Sequence, residues 1–341
     1  MHSVARLLAL GGLLLAAPAD AQDAPATQLA QDTLIGRVTH TLDSLARADE
    51  FSGVVLLARH GTSVFEHAYG MADREAGRPN DLETAFNLGS INKIFTMIAI
   101  RQLAAAGTLS LDSTLGHYWP DYPNAPIAHG VTIRQLLQHR SGIGGDIFGV
   151  PAGGSRRDLR RLRDFLPLFV NEPPLFAPGT GNRYSNAGYV VLGLLVERMS
   201  GDDYYDYVRR HIYEPAGMTR TGHWAVDSLP FNAALGYTRG EDTTTGPRRR
   251  NSELLPGRGS SAGGGYSMAH DLLRFLNALR AGRIAAGPPA GLGIAGGTAG
   301  VNAVVEASLP GEYDVIVLTN LDPPAAERVA GMVRRWLGAR D

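Results

Sequence analysis

The stretches of this 341-residue chain that read as β-strands lie only near its two ends, and that placement restricts the fold more than any other feature. Near the start, "FSGVVLLARHG" and "SVFEHAYG" carry the β-branched and aromatic residues of two strands, with a hairpin turn at His60-Gly61-Thr62. Near the end, "GLGIAGGT", "VNAVVEASL" and "YDVIVLTNL" predict three more strands. Helical spacing dominates everything between them. Residues 91–106 form a long apolar helix stopping at Gly107, a C′ glycine, and 184–200 form a second. "DDYYDYVRRHIYEPAGM" is an amphipathic helix in which Tyr204, Tyr205 and Tyr207 pack, and 110–180 is turns and short helices.

Helices also flank the strands. Leu34, Val38, Leu42 and Leu45 set a helix over 32–48, after a polar, frayed lead-in at 22–31. "SMAHDLLRFLNALRAG" predicts a helix N-capped by Ser267, and "PPAAERVAGMVRRWLGAR" a closing one. The fold class that follows is α/β in the α+β sense. An antiparallel sheet flanked by helices is built from both chain ends (32–90 and 255–341), with a mainly helical domain inserted over 91–254.

Residues 1–21 are expected to be a signal peptide. A weakly basic start with His2 and Arg6 precedes the apolar run "LLALGGLLLAAPA" and the small-x-small pattern "ADA". The expected location is therefore periplasmic or secreted, with no integral membrane segment after cleavage. The chain has no cysteine, which excludes disulfides, thiolate zinc and a cysteine nucleophile. A formal net charge of −1 gives no electrostatic case for nucleic acid as a partner. The histidines form no H-E-x-x-H pair, so neither a metal nor a cofactor is expected.

Of 32 basic residues, only Lys93 is a lysine. It lies three residues after Ser90, in "NLGSINKIF", at the mouth of the first apolar helix. Residues three apart on a helix share a face, and a serine attacks a carbonyl only if something takes its proton. A lysine desolvated beside an apolar helix can do so, whereas arginine is never neutral. Where Arg serves every other cationic position, the one Lys marks an amine that must lose a proton. Tyr184-Ser185-Asn186 stands at the mouth of the second apolar helix. A tyrosine beside an ammonium can become a phenolate and act as a general base, and the asparagine can orient both the lysine and a substrate amide.

Other patterns read as structure. Gly259-Ser-Ser-Ala-Gly263 fits G-x-S-x-G, but its flanks lack the strand and helix of a nucleophile elbow, and no acid precedes the single later histidine. It is a glycine-rich turn. "RRDLRRLRD" is a solvated face, and the run Arg248-Arg249-Arg250 is loop.

Several blocks in one order resemble the serine β-lactamase and penicillin-binding-protein superfamily. They include "AFNLGSINKIFTMIAIRQLAAAGTLSLDSTLGHYWPDYP", "VTIRQLLQHRSGI", "FAPGTGNRYSNAGYVVLGLLVERMSG" and "SAGGGYSMAHDLLRFLNAL". The nearest branch contains class C β-lactamases, family VIII carboxylesterases, D-aminopeptidases and DD-peptidases. The resemblance covers about residues 35–320 and implies a β-lactamase/transpeptidase-like fold.

It also implies that Ser90 is the acylated nucleophile, Lys93 its base partner, Tyr184 the proton-shuttling tyrosine and Asn186 the second-motif asparagine. The family's third motif falls at Ile294-Ala295-Gly296. Gly296, Gly297 and Thr298 then line the substrate site, and the Gly297 and Ser90 N–H groups form the oxyanion hole. His139 belongs to a structural block. Two features depart from the pattern: Ile294 and Ala295 replace polar or cationic residues, and the segment from Asp271 to Gly293 is short. Without that cation, an ester substrate is expected ahead of a β-lactam or D-amino-acid peptide. The expected function is an exported serine hydrolase acting on a small-molecule ester or amide through an acyl-enzyme. The alternatives are a β-lactamase or D-amino-acid peptidase, and a non-catalytic peptidoglycan- or acyl-binding protein.

Overall fold

A computed structural model describes residues 24–240, 246–284 and 292–338. The expected signal peptide and part of the short segment after Asp271 lie outside the described residues. Five strands form the main sheet: β1 (Gly53–Arg59), β2 (Thr62–Tyr69), β3 (Gly293–Thr298), β4 (Val301–Leu309) and β5 (Tyr313–Thr319). Their order is β2-β1-β5-β4-β3, antiparallel throughout, so the chain's two ends pair at the centre, with Gly53 opposite Thr319.

Period-2 alternation sorts the central strands onto two apolar layers. Val54, Leu56 and Ala58 of β1, with Ile316 and Leu318 of β5, face a large core shared with the helical region. Val55, Leu57, Val315 and Val317 face a smaller core closed by two terminal helices, α1 (Ala24–Arg47) and the C-terminal helix Ala325–Trp336. Helix α1 starts before the expected 32. Its first residues are rich in Ala and Gln, good helix formers that extend the amphipathic segment backwards.

The larger core gathers α2 (Lys93–Ala105), α3 (Asn186–Ser200) and α4 (Ala269–Arg280). Tyr204, Tyr205 and Tyr207 are buried in it, as expected, although their segment is a short helix followed by a π-turn. Two expectations fail. Ser267 does not cap α4: it sits in a two-residue strand with its hydroxyl engaged by Thr221 and the Met268 carbonyl. Buried Asp271 in the first turn of α4 instead accepts from the Arg220 N–H and the Thr221 hydroxyl. Nor is all of Arg248–Arg250 loop. Arg249 and Arg250 pair with Tyr237 and Thr238, and Arg248 lies nearly buried between Asp49 and Asp322. Those carboxylates are remote in sequence, so local composition could not announce them.

Candidate active site

Ser90 and Lys93 belong to two different helical geometries. Residues Gly89–Asn92 form a 3₁₀ turn that runs into α2 at Lys93. In a 3₁₀ turn residues three apart eclipse, and Lys93 Nζ comes 3.1 Å from Ser90 Oγ. The turn is entered through Gly89, whose φ of +50° favours glycine. A side chain there would also meet Gly297.

The second apolar helix brings its mouth to the same place. Ser185 caps α3, and flanking it Tyr184 and Asn186 point two functional groups at the pair. The Tyr184 hydroxyl donates to Ser90 Oγ at 2.6 Å, and Lys93 Nζ donates to Asn186 Oδ1 at 2.7 Å. A third contact was not legible beforehand: Lys93 Nζ donates to the Ala262 carbonyl at 2.5 Å. Ala262 lies in the Gly259–Gly263 segment, so the serine pattern set aside as a turn supplies the lysine with a backbone acceptor. Its own Ser261 is fully buried and donates to the Tyr189 carbonyl, out of play as a nucleophile.

Burial holds the Lys93 amine down, to a pKa of about 7. This state has a geometric counterpart. A neutral amine has two hydrogens and one lone pair. Nζ is within hydrogen-bond distance of Ala262 O, Asn186 Oδ1 and Ser90 Oγ, so once deprotonated the amine can keep its two hydrogens on the first two and take the proton of the third. Tyr184 behaves differently from the phenolate reading. Burial pushes its pKa up, with the Ser90 contact acting in the opposite direction, so the resting hydroxyl keeps its proton and donates to Ser90. Desolvation of the phenolate is the larger influence, although the Lys93 amine lies 4.7 Å from the ring centroid.

His139 has a larger part than a block remote from the site would. Its ring stacks against Tyr184 with centroids 4.6 Å apart, and its Nδ1 accepts the Ser185 N–H. Burial, then the charge of Lys93, holds its pKa down, as an accepting Nδ1 requires. It therefore buttresses the tyrosine.

Strand β3 closes the other side. A Cβ on Gly296 would stand 2.1 Å from Leu88 O and 2.7 Å from Ser90 N, so only glycine lets the strand lie on the nucleophile's turn. Asn302 donates to Gly296 O and holds it there. Gly297 and Thr298 line the same cavity as Ser90 and Asn186. Ile294 and Ala295 line a second cavity, with Lys93 and Tyr184. Among the described residues, no group of three or more His, Asp or Glu could hold a metal ion, and no helix is long and apolar enough to cross a membrane.

Residues 38–304 match the beta-lactamase family. The chain is similar to esterase EstB of Burkholderia gladioli, 33% identical over 76% of this chain and 73% of that protein. It is similar to penicillin-binding protein 4 of Amycolatopsis lactamdurans, 29% identical over 68% of this chain and 60% of that one. Among solved structures, a penicillin-binding protein from Bacillus halodurans superposes with a TM-score of 0.75 at 31% identity, covering 86% of this chain and 99% of that chain.

Proposed function

The chain belongs to the beta-lactamase family, and from that premise we propose that it is an esterase-like serine hydrolase working through an acyl-enzyme on Ser90. The observation that carries this is the buried Lys93 amine, its pKa brought down to about 7 and its Nζ 3.1 Å from Ser90 Oγ. Ser90 Oγ attacks the ester carbonyl and its proton passes to Lys93. The carbonyl oxygen, now negative, lies against the Ser90 and Gly297 N–H groups, whose dipoles oppose its charge. The bond to the leaving oxygen breaks as that oxygen takes the Tyr184 proton, and the Lys93 ammonium restores it. Water then adds to the acyl group, giving its proton to the same amine, and Ser90 regains a proton as the acid departs. The net change is ester plus water to acid plus alcohol.

The likeness to penicillin-binding proteins favours a second reading, a β-lactam or D-amino-acid peptide as acyl donor. We also propose export, from the leader-like residues 1–21. Intact mass after a fluorophosphonate probe tests the enzyme. A single adduct mapping to Ser90, absent in Ser90→Ala, is expected. No adduct on folded protein would overturn catalysis and leave the binding-protein alternative. Turnover of a cephalosporin above that of simple esters would select the second reading.

A further inference from the structure

Ser90 stands in the wall between two cavities and, among the described residues, is the one lining both. The first, of about 610 Å³ including its open mouth, is walled by Ile147, Phe148, Phe165, Trp224, Val226 and Leu255 on its apolar side. Among the described residues, no Asp, Glu, Lys or Arg lines it. The second, of about 540 Å³ counted in the same way, is walled by Ile94, Met97, Leu292, Ile294 and Ala295, with Tyr184 and Lys93.

Chemistry decides which part of a substrate goes where. The leaving oxygen must receive a proton, and the Tyr184 hydroxyl, 2.6 Å from Ser90 Oγ, belongs to the second cavity. The acyl group stays bonded to Ser90, and the first cavity is the space open to it. The second cavity has no fixed cation to spare for a carboxylate. Lys93 Nζ already donates to Asn186 and Ala262, and burial brings its pKa down to about 7, so it is not a permanent cation. His139 is held neutral by its surroundings, and Arg101, whose charge reaches Tyr189, is not among the lining residues. A carboxylate in either cavity would lose its hydration without a charged partner.

Resting on the hydrolase reading, we infer that the substrate is an ester uncharged on both sides of the scissile bond, its apolar acyl group held under Trp224 and its alcohol expelled over Ile294. Trp224 and Ile294 are then the specificity-determining residues, one for each half.

The test compares kcat/KM on matched butyrate esters of phenol and of 4-hydroxybenzoate, and on phenyl hemisuccinate beside phenyl butyrate. The neutral ester is expected to lead by at least tenfold in both pairs. Ile294→Lys, on the partly buried edge strand, should narrow the first gap severalfold and leave the second unaltered. Trp224→Ala should shift the best acyl chain to a longer one in a phenyl ester series. Equal rates on neutral and anionic esters by the unmodified protein would overturn the inference, as would Ile294→Lys moving both ratios equally. The fluorophosphonate adduct separates the two levels of failure. An adduct on Ser90 without the neutral preference sinks this inference alone, and no adduct sinks it together with the hydrolase reading.

Discussion

Strands β5 and β3 belong to one sheet and have opposite characters. Every residue of β5 is buried, and its Val, Ile and Leu side chains are divided between two cores. Strand β3 is the sheet's edge, half glycine, with only Gly296 buried. The first holds the molecule together and touches no reacting group. The second contributes little apolar area, yet lies on the nucleophile's turn. Packing needs large side chains, whereas presenting a backbone N–H to a substrate needs their removal, so one strand cannot serve both ends well.

Substitutions should separate the two roles. Lys93→Arg keeps the charge and forfeits the proton chemistry, and kcat/KM on a phenyl ester is expected to fall by about 10³ to 10⁴-fold. Retention of a tenth of the activity would refute the general-base role. Gly296→Val drives a side chain into the Leu88 carbonyl, and misplacing the Ser90 turn by about 1 Å should lower kcat/KM about 10²-fold. Urea unfolding should register a smaller effect, about 1–3 kcal/mol from the overpacked contact. Tyr184→Phe, which leaves the ring on His139 but removes the donor, should lower kcat by about 10²-fold, most for esters with the poorest leaving groups.

The pH dependence follows from Lys93. With its pKa near 7 in the folded protein, kcat/KM should drop about tenfold per pH unit below that value. The unfolded chain keeps this proton up to about pH 10.4. Between the two values the unfolded state binds more protons, so the stability contributed by this residue rises with pH from about 7 to about 10 and is flat below. Lys93→Met should abolish that slope in urea titrations. The smallest kinetic effect belongs to β5. Val317→Ala should cost about 2 kcal/mol of stability while kcat/KM of the folded fraction stays within twofold. A large kinetic loss there would break the division between the strands.

Much of the site was legible. Ser90, Lys93, Tyr184 and Asn186 carry functional side chains in recognisable patterns at helix starts, and the structure brings all four together. What escaped was of another kind. The Ala262 acceptor is a backbone carbonyl, a group every residue owns, so no letter marks it. The support of Tyr184 by His139 is a ring contact across 45 positions of chain. The protonated state of Tyr184 depends on burial that a local pattern does not report.

By itself the sequence determined the five strands, the helices that flank them and the chemical identity of the nucleophile and its amine. Those follow from short-range regularities: alternation for strands, 3.6-residue spacing for helices, and the limited set of side chains able to exchange a proton. Tertiary structure decided that the amine titrates near pH 7, that the tyrosine rests protonated, and that Ser90 lies between two cavities without a permanent charge. A pKa is set by which distant groups exclude water from a site, and a cavity by surfaces that meet only when remote segments pack.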